Sequence, residues 1–362
     1  MIPIPALDSL RAAPARLFAA ATFRVLGIPL RVESDSPRVL AAAAEAFGAS
    51  AEDSVDDFAS IELAAGGDGA ALDSRRAADH PGAAAADGRG ARVRIRVRPG
   101  GGAGPVRHDV PRRDLLLLSG PGCSGYADTA ACEAVAEVDE ALLEDRDHFR
   151  AGVLEALALF LLARMDRDPL HASAVARGDS ALLLAGRSGV GKSTLVYAAA
   201  RAGLRVLSED AVHLQSNPPR VWGMPRFVHL TPETARFFPE LAEMTPKRLF
   251  NGKTKLAIDL RTLASDNAEP VAARAGICLL ARGSRPGAEP IDPREAVAEL
   301  TAALEPGFDA YADSVGEKIA RIAETGAWRL TLPPHPADAV PLLGPLLDAL
   351  ESRAAVPFRL IG

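Results

Sequence analysis

Cysteine is scarce. Cys123, Cys132 and Cys278 are the only three in 362 residues. They form no C-x-x-C pair, and one is left over if two were to join. A disulfide framework is therefore excluded as the organising device, and a reducing compartment, the cytoplasm, is expected. Basic charge is also short: 41 Lys and Arg stand against 47 Asp and Glu, a net charge of −6. No basic surplus exists for gripping nucleic acid or an anionic membrane, so neither is expected as a partner. Long hydrophobic runs are missing too. LEALALFLLA at 154–163 falls well short of the roughly 20 apolar residues that a bilayer requires. The opening MIPIPALDSLRAAPARLF is interrupted by prolines and lacks the basic-then-apolar pattern of a signal peptide.

What is present is globular, with 48% hydrophobic residues and enough length for two domains, since single cores stop growing near about 250–300 residues. The division is expected near residue 145, giving a smaller α/β domain at 1–145 and a second domain at 146–362. In the first, FRVLGIPLRV at 23–32 is rich in β-formers. SPRVLAAAAEAFG then reads as a helix with Ser36 at its N-cap, Pro37 in its first turn and Gly48 at its stop. Residues 64–90 are Ala, Gly and Asp with almost no large apolar side chain, and are expected to be a flexible insertion. RVRIRVRP at 92–99 alternates strictly, with Arg92, Arg94, Arg96 and Arg98 on one face of a strand. That face is either a solvated one or a docking surface for an acidic peptide. LLLLSG at 115–120 reads as a buried strand and 147–164 as a largely buried helix.

The second domain carries the chemistry. HASAVA at 171–176, the turn RGDS and ALLLAG at 181–186 read as a hairpin. Its second strand feeds GRSGVGKST at 186–194, and KSTLVYAAARAG follows as a helix stopped by Gly203. LRVLSED at 204–210 is the next strand, so the whole reads as a βαβ unit. The pattern G-x-x-x-x-G-K-[ST] arises by accident in a chain this long on the order of one time in a hundred. In this setting Gly186, Ser188, Gly189, Val190, Gly191, Lys192, Ser193 and Thr194 form a phosphate loop. Backbone N–H groups and a helix N-terminus converge on phosphate oxygens there. Lys192 reaches the β and γ phosphates and Ser193 ligates Mg²⁺. Glu209 and Asp210 end the following strand and point opposite ways, so one can serve the metal and the other an acceptor hydroxyl. No N-K-x-D guanine signature appears. Further helices are expected at Thr231-Pro232 and at Asp292-Pro293, where Glu295 completes a capping box, and further strands at 273–282 and 328–333. Only five of the basic residues are lysines, and Lys247, Lys253 and Lys255 lie within nine residues. Lys253 or Lys255, with Arg226, is a candidate clamp for a transferring phosphoryl group, the alternative being a solvated basic loop.

Residues 170–214, LHASAVARGDSALLLAGRSGVGKSTLVYAAARAGLRVLSEDAVHL, resemble the core of the HPr kinase/phosphorylase family, including its relatives that phosphorylate a serine of lasso-peptide precursors. The likeness extends more weakly through GMPRFVHLTPE and NGKTKLAIDL. It implies an α/β fold with a kinase domain built on the phosphate loop, ATP and Mg²⁺ as cofactors, and a serine of a peptide or small protein as acceptor. It also implies a homo-oligomer. Separately, the extra length of the N-terminal domain and its arginine-faced strand make that domain a candidate for substrate recognition. By position Glu209, assisted by His171, resembles the base, and Asp210 the second acid that joins Ser193 on the metal. Two departures stand out: Glu209 occupies a place where the family has Asp, and no E-I-R-G-L-G segment follows. Neither phosphorylase action nor HPr itself as the substrate is therefore expected. A kinase for a free amino acid or sugar, and a nucleotide-binding regulator without efficient turnover, are the alternatives.

Overall fold

The computed structural model describes residues 19–48, 90–249, 252–263, 269–302 and 312–354. The expected insertion at 64–90 lies, but for Gly90, outside them. Two units divide after Met165, later than the boundary expected near 145. The reason is the apolar helix α2 at 146–163, whose Leu154, Leu157 and Leu161 are buried against strands of the first unit's sheet. It therefore closes the first core instead of opening the second.

In the first unit the sheet order is β1-β2-β3-β7-β6-β5-β4. These strands are β1 (Ala19–Val25), β2 (Ile28–Ser34), β3 (Ala91–Arg98), β4 (Arg107–Arg112), β5 (Leu115–Gly120), β6 (Cys123–Asp128) and β7 (Glu133–Asp139). FRVLGIPLRV is split into a hairpin, because Leu26 and Gly27 take φ of 50° and 77°, the left-handed pair that a two-residue turn needs. Helix α1 (Pro37–Phe47) has Ser36 and Gly48 at its caps as expected. Strand β3 is interior, with parallel neighbours on both sides. Its arginines meet acids across the ladder: Arg94 pairs with Glu33 at 3.0 Å, Arg96 with Glu137 at 3.2 Å and Arg98 with Asp139 at 2.6 Å. The basic face is thus largely paired with acids within the sheet, with Glu33 shared by Arg31, Arg92 and Arg94.

The second unit is built on a six-stranded sheet of order β11-β9-β10-β18-β20-β19. Its strands are β9 (Ser173–Arg177), β10 (Ser180–Ala185), β11 (Arg205–Ser208), β18 (Arg274–Arg282), β19 (Gly287–Pro290) and β20 (Ala327–Leu332). Strands β10, β18 and β20 run parallel, so their carboxyl ends open onto one edge. Helices α3 (Lys192–Arg201) and α6 (Val340–Ala354) pack on one face with Leu182, Leu184, Cys278, Leu280 and Leu330 in a common core. Ile277 and Leu279 alternate to the other face, where α5 (Ala312–Thr325) covers β18. Two smaller sheets complete the unit. One is β17-β13-β12-β8, from β8 (Asp168–Leu170), β12 (Val212–Gln215), β13 (Arg220–Trp222) and β17 (Val271–Ala272). The other is β14-β16-β15, from β14 (Phe227–Leu230), β15 (Lys247–Arg248) and β16 (Thr254–Asp259).

Two helix starts differ from expectation. Thr231-Pro232 opens only a 3-10 stretch, Pro232–Phe237. Helix α4 (Pro293–Ala302) does begin at Pro293, and the Asp292 carboxylate accepts from the Arg294 amide at 2.7 Å. The capping box stays half-formed, because the Glu295 carboxylate accepts from Arg329 at 2.5 Å instead of turning back to the cap.

On β12, His213 is buried, with Nδ1 3.3 Å from the Arg167 carbonyl. Burial pushes its pKa down to about 4 from an ordinary 6.5. The folded value lies below the unfolded one, so this contribution is whole above pH 6.5 and is lost as pH falls from 6.5 toward 4. The loss amounts to about 3 kcal/mol by linkage. Urea unfolding of wild type and His213→Gln across that window is expected to show a flatter pH dependence in the variant. Equal slopes would contradict the assignment.

Candidate active site at the carboxyl edge of the second unit

Strand β10 ends at Ala185 and helix α3 begins at Lys192, so the chain must reverse within 186–191. Gly189 and Gly191 make that possible at φ of 78° and 114°, values that a side chain rarely tolerates. Gly191 is also sterically closed. A Cβ there would lie 3.2 Å from Arg282 Nη2 and 3.3 Å from both Leu332 and Pro336. Val190 is half-buried and leans on the core, while Ser188 and Gly189 are exposed at the tip and Thr194 lies in the first turn of the helix. Lys192 folds back over the loop, donating to the Gly186 carbonyl at 2.7 Å. Its ammonium is thereby held beside the amides at the start of α3, where the helix dipole favours an anion.

The two adjacent acids are separated by the fold. At the end of β11 the pairing with β9 shifts register between Val206 and Ser208. Ser173 on β9 then pins the chain by donating its hydroxyl to the Glu209 carbonyl. The Glu209 side chain turns inward and is 11% exposed. Its Oε1 accepts from Ser193 Oγ at 2.5 Å, and Oε2 lies 3.4 Å from His229 Nδ1. Asp210 turns outward, is 72% exposed, and lies 3.4 Å from His171 Nδ1. The sequence expectation had joined Glu209 with His171 and Asp210 with Ser193; the geometry exchanges the partners. The cause is the strand-end shift, which decides which of two neighbouring side chains faces α3.

His229 was missed by the sequence reading. It comes twenty residues after Glu209 and reaches it through β14, which pairs with β16 so that His229 faces Ala257. The only local signal was the alternation in FVHL, which sets Phe227 and His229 on one face. Of the expected clamp residues, Lys255 lies on β16 of this three-stranded sheet, while Arg226 and Lys253 immediately precede β14 and β16. Lys255 is opposite Lys247 across β15 and β16, on the same strand face as Ala257. Lys253 precedes β16, its carbonyl accepting from the Leu249 amide at 2.8 Å. The Arg226 guanidinium lies 5.0 Å over the Phe227 ring.

Among the described residues no cluster of three His, Cys, Asp or Glu side chains is suited to hold a metal by itself. The Ser193–Glu209 pair is of another kind: a hydroxyl and a carboxylate in contact beside an anion-favouring loop. It fits magnesium, which takes one or two protein oxygens and completes its shell with water and phosphate.

No family model matches the chain, and no curated protein matches it in sequence. Among solved structures, the HPr(Ser) kinase/phosphatase from Coxiella burnetii is matched over 51% of this chain and 98% of that chain. Identity is 13% and the TM-score 0.29, a likeness too loose to carry an argument about activity. No helix among the described residues is long and apolar enough to cross a membrane.

Proposed function

We propose that the chain is a phosphotransferase that binds ATP with Mg²⁺ and passes the γ-phosphoryl group to a hydroxyl, the acceptor being a serine of a peptide or small protein. The observation that carries this reading is the 2.5 Å hydrogen bond from Ser193 to Glu209, set beneath a glycine loop whose lysine is already turned over it. A loop of this form cradles phosphates with backbone N–H groups, and its Ser would help to hold the accompanying magnesium. Bound MgATP supplies the transferable group and neutralises its charge.

The chain's own residues divide the work as follows. Lys192 and the amides of 186–193 hold the phosphates. Ser193 and Glu209 would hold the metal, with His229 keeping the Glu209 carboxylate oriented. Asp210, beside His171, takes the proton of the incoming hydroxyl. This reverses the roles that the family likeness implies for Glu209 and Asp210, and what supports the reversal is their opposite facing. The outward position of Asp210 favours an acceptor presented from outside, as on a peptide, over a small molecule enclosed in a pocket. Phosphoryl transfer depends mainly on positioning and charge stabilisation, so this set suffices in kind.

The test is to offer γ-labelled ATP and Mg²⁺ with a pool of serine peptides in one reaction and with free amino acids and sugars in another. Label on a peptide is expected. Label on a small molecule alone moves the acceptor class, and bound ATP with no transfer or hydrolysis favours a nucleotide-binding regulator.

A further inference from the structure

We infer that Arg282 is a second phosphate-binding cation of this site, contacting the nucleotide beyond its α-phosphate; the inference rests on the nucleotide reading above. Strand β18 lies beside β10 in parallel register, Ala185 opposite Leu279. It runs three residues further, so Arg282 stands at the carboxyl edge next to the glycine loop. Its Nη1 donates to the Pro333 carbonyl at 3.2 Å. Its Nη2 lies 3.2 Å from the position that a Cβ on Gly191 would occupy. The guanidinium therefore lies between the loop and the segment that follows β20, close to the glycine immediately before Lys192.

Among the described residues, Arg329 reaches Glu295 and Glu299, Arg177 reaches Asp348, and Arg201 reaches Glu240, whereas Arg205 donates to backbone carbonyls and Arg274 to the Ser180 hydroxyl. Arg282 has, among the described residues, one hydrogen bond, to the neutral Pro333 carbonyl, and no acid within ion-pair distance. One edge of its donor fork is fixed by Pro333 and the other faces the loop. Arg282 is exposed, as Arg285 is, so its remaining donors are open to a bidentate contact with two phosphate oxygens. Because Gly191 precedes the lysine that reaches the β and γ phosphates, the contact is assigned to that end of the chain of phosphates. The absence of a side chain at Gly191 is then what lets the guanidinium come close.

The experiment is a titration of ATP, ADP and AMP, with Mg²⁺, into wild type, Arg282→Gln and Arg285→Gln, the last being an exposed arginine on the same connection. Arg282→Gln is expected to weaken ATP and ADP by about tenfold or more and to leave AMP unchanged, with Arg285→Gln behaving as wild type. Arg282→Lys keeps the charge and loses the fork, and is expected to fall between the two; it serves if the glutamine variant does not fold. Wild-type affinity for ATP and ADP in both Arg282 variants overturns the inference, as does an equal loss for AMP. Failure of wild type to bind any of the three overturns the phosphotransferase reading itself, so the two failures are distinguishable.

Discussion

Asp210→Asn is expected to lower turnover by about 10²–10⁴-fold, the range for a lost general base, while ATP affinity in the presence of magnesium stays within about threefold of wild type. Glu209→Gln is expected to do something different. Glu209 accepts the Ser193 hydroxyl and is nearly buried, so neutralising it removes the one carboxylate facing the metal position. Magnesium should then no longer strengthen ATP binding, and turnover should fall with it. The physical basis is the separation of the two acids. One is turned toward α3 and packed; the other is turned to solvent and lies 3.4 Å from His171. Isothermal titration with and without Mg²⁺, together with single-turnover rates, measures both effects on each variant. If Glu209→Gln kept Mg²⁺-dependent binding while only its turnover collapsed, and Asp210→Asn lost the metal effect, the roles would be those the family likeness implies.

Lys318→Met is expected to destabilise the second unit by about 3–5 kcal/mol, the cost of stripping one partner from a buried ion pair. The ammonium is 7% exposed and lies 2.5 Å from Asp166 and 2.9 Å from Asp168, itself 6% exposed. It also donates to the Leu214 carbonyl at 3.0 Å. Burial disfavours the Asp166 charge, but Lys318 and the Ser216 amide outweigh that effect and hold its carboxyl below the ordinary value. The lysine on α5 thus ties the first residues of the unit to the β12–β13 hairpin. Removing it leaves the Asp168 carboxylate buried without its cation, and pairing Lys318→Met with Asp168→Asn should restore part of the loss. Urea unfolding monitored by far-UV circular dichroism reads both variants. A loss below about 1 kcal/mol for Lys318→Met would place this pair with surface ion pairs, which are worth little.

The strand–loop–helix–strand run from Ser173 to Ser208 could be read from the sequence because its signals are local. Apolar strands, turn residues and glycines at left-handed φ specify it without reference to the rest of the chain. Helix α1 was legible for the same reason. What the sequence left open depends on tertiary pairing. Which of Glu209 and Asp210 faces α3 follows from a register shift against β9 and from the hydroxyl of Ser173, neither of which adjacent residues announce. His229 enters through the pairing of β14 with β16, and Arg282 through the parallel placement of β18 beside β10. The domain boundary went astray because the apolar run at 154–163 shows that a helix is buried but not in which core. The capping box failed since Arg329, distant in sequence, competes for Glu295.

The most direct measurement is the single-turnover loss of the γ-phosphoryl group from ATP, with Mg²⁺ and the serine-peptide pool, in wild type and Lys192→Ala side by side. Lys192 is the ammonium held over the glycine loop, and its removal strips the phosphates of their fixed charge. The account predicts transfer in wild type and a rate at least about 10²-fold lower in Lys192→Ala, as befits electrostatic stabilisation of a transferring group. Equal rates in the two proteins would contradict it.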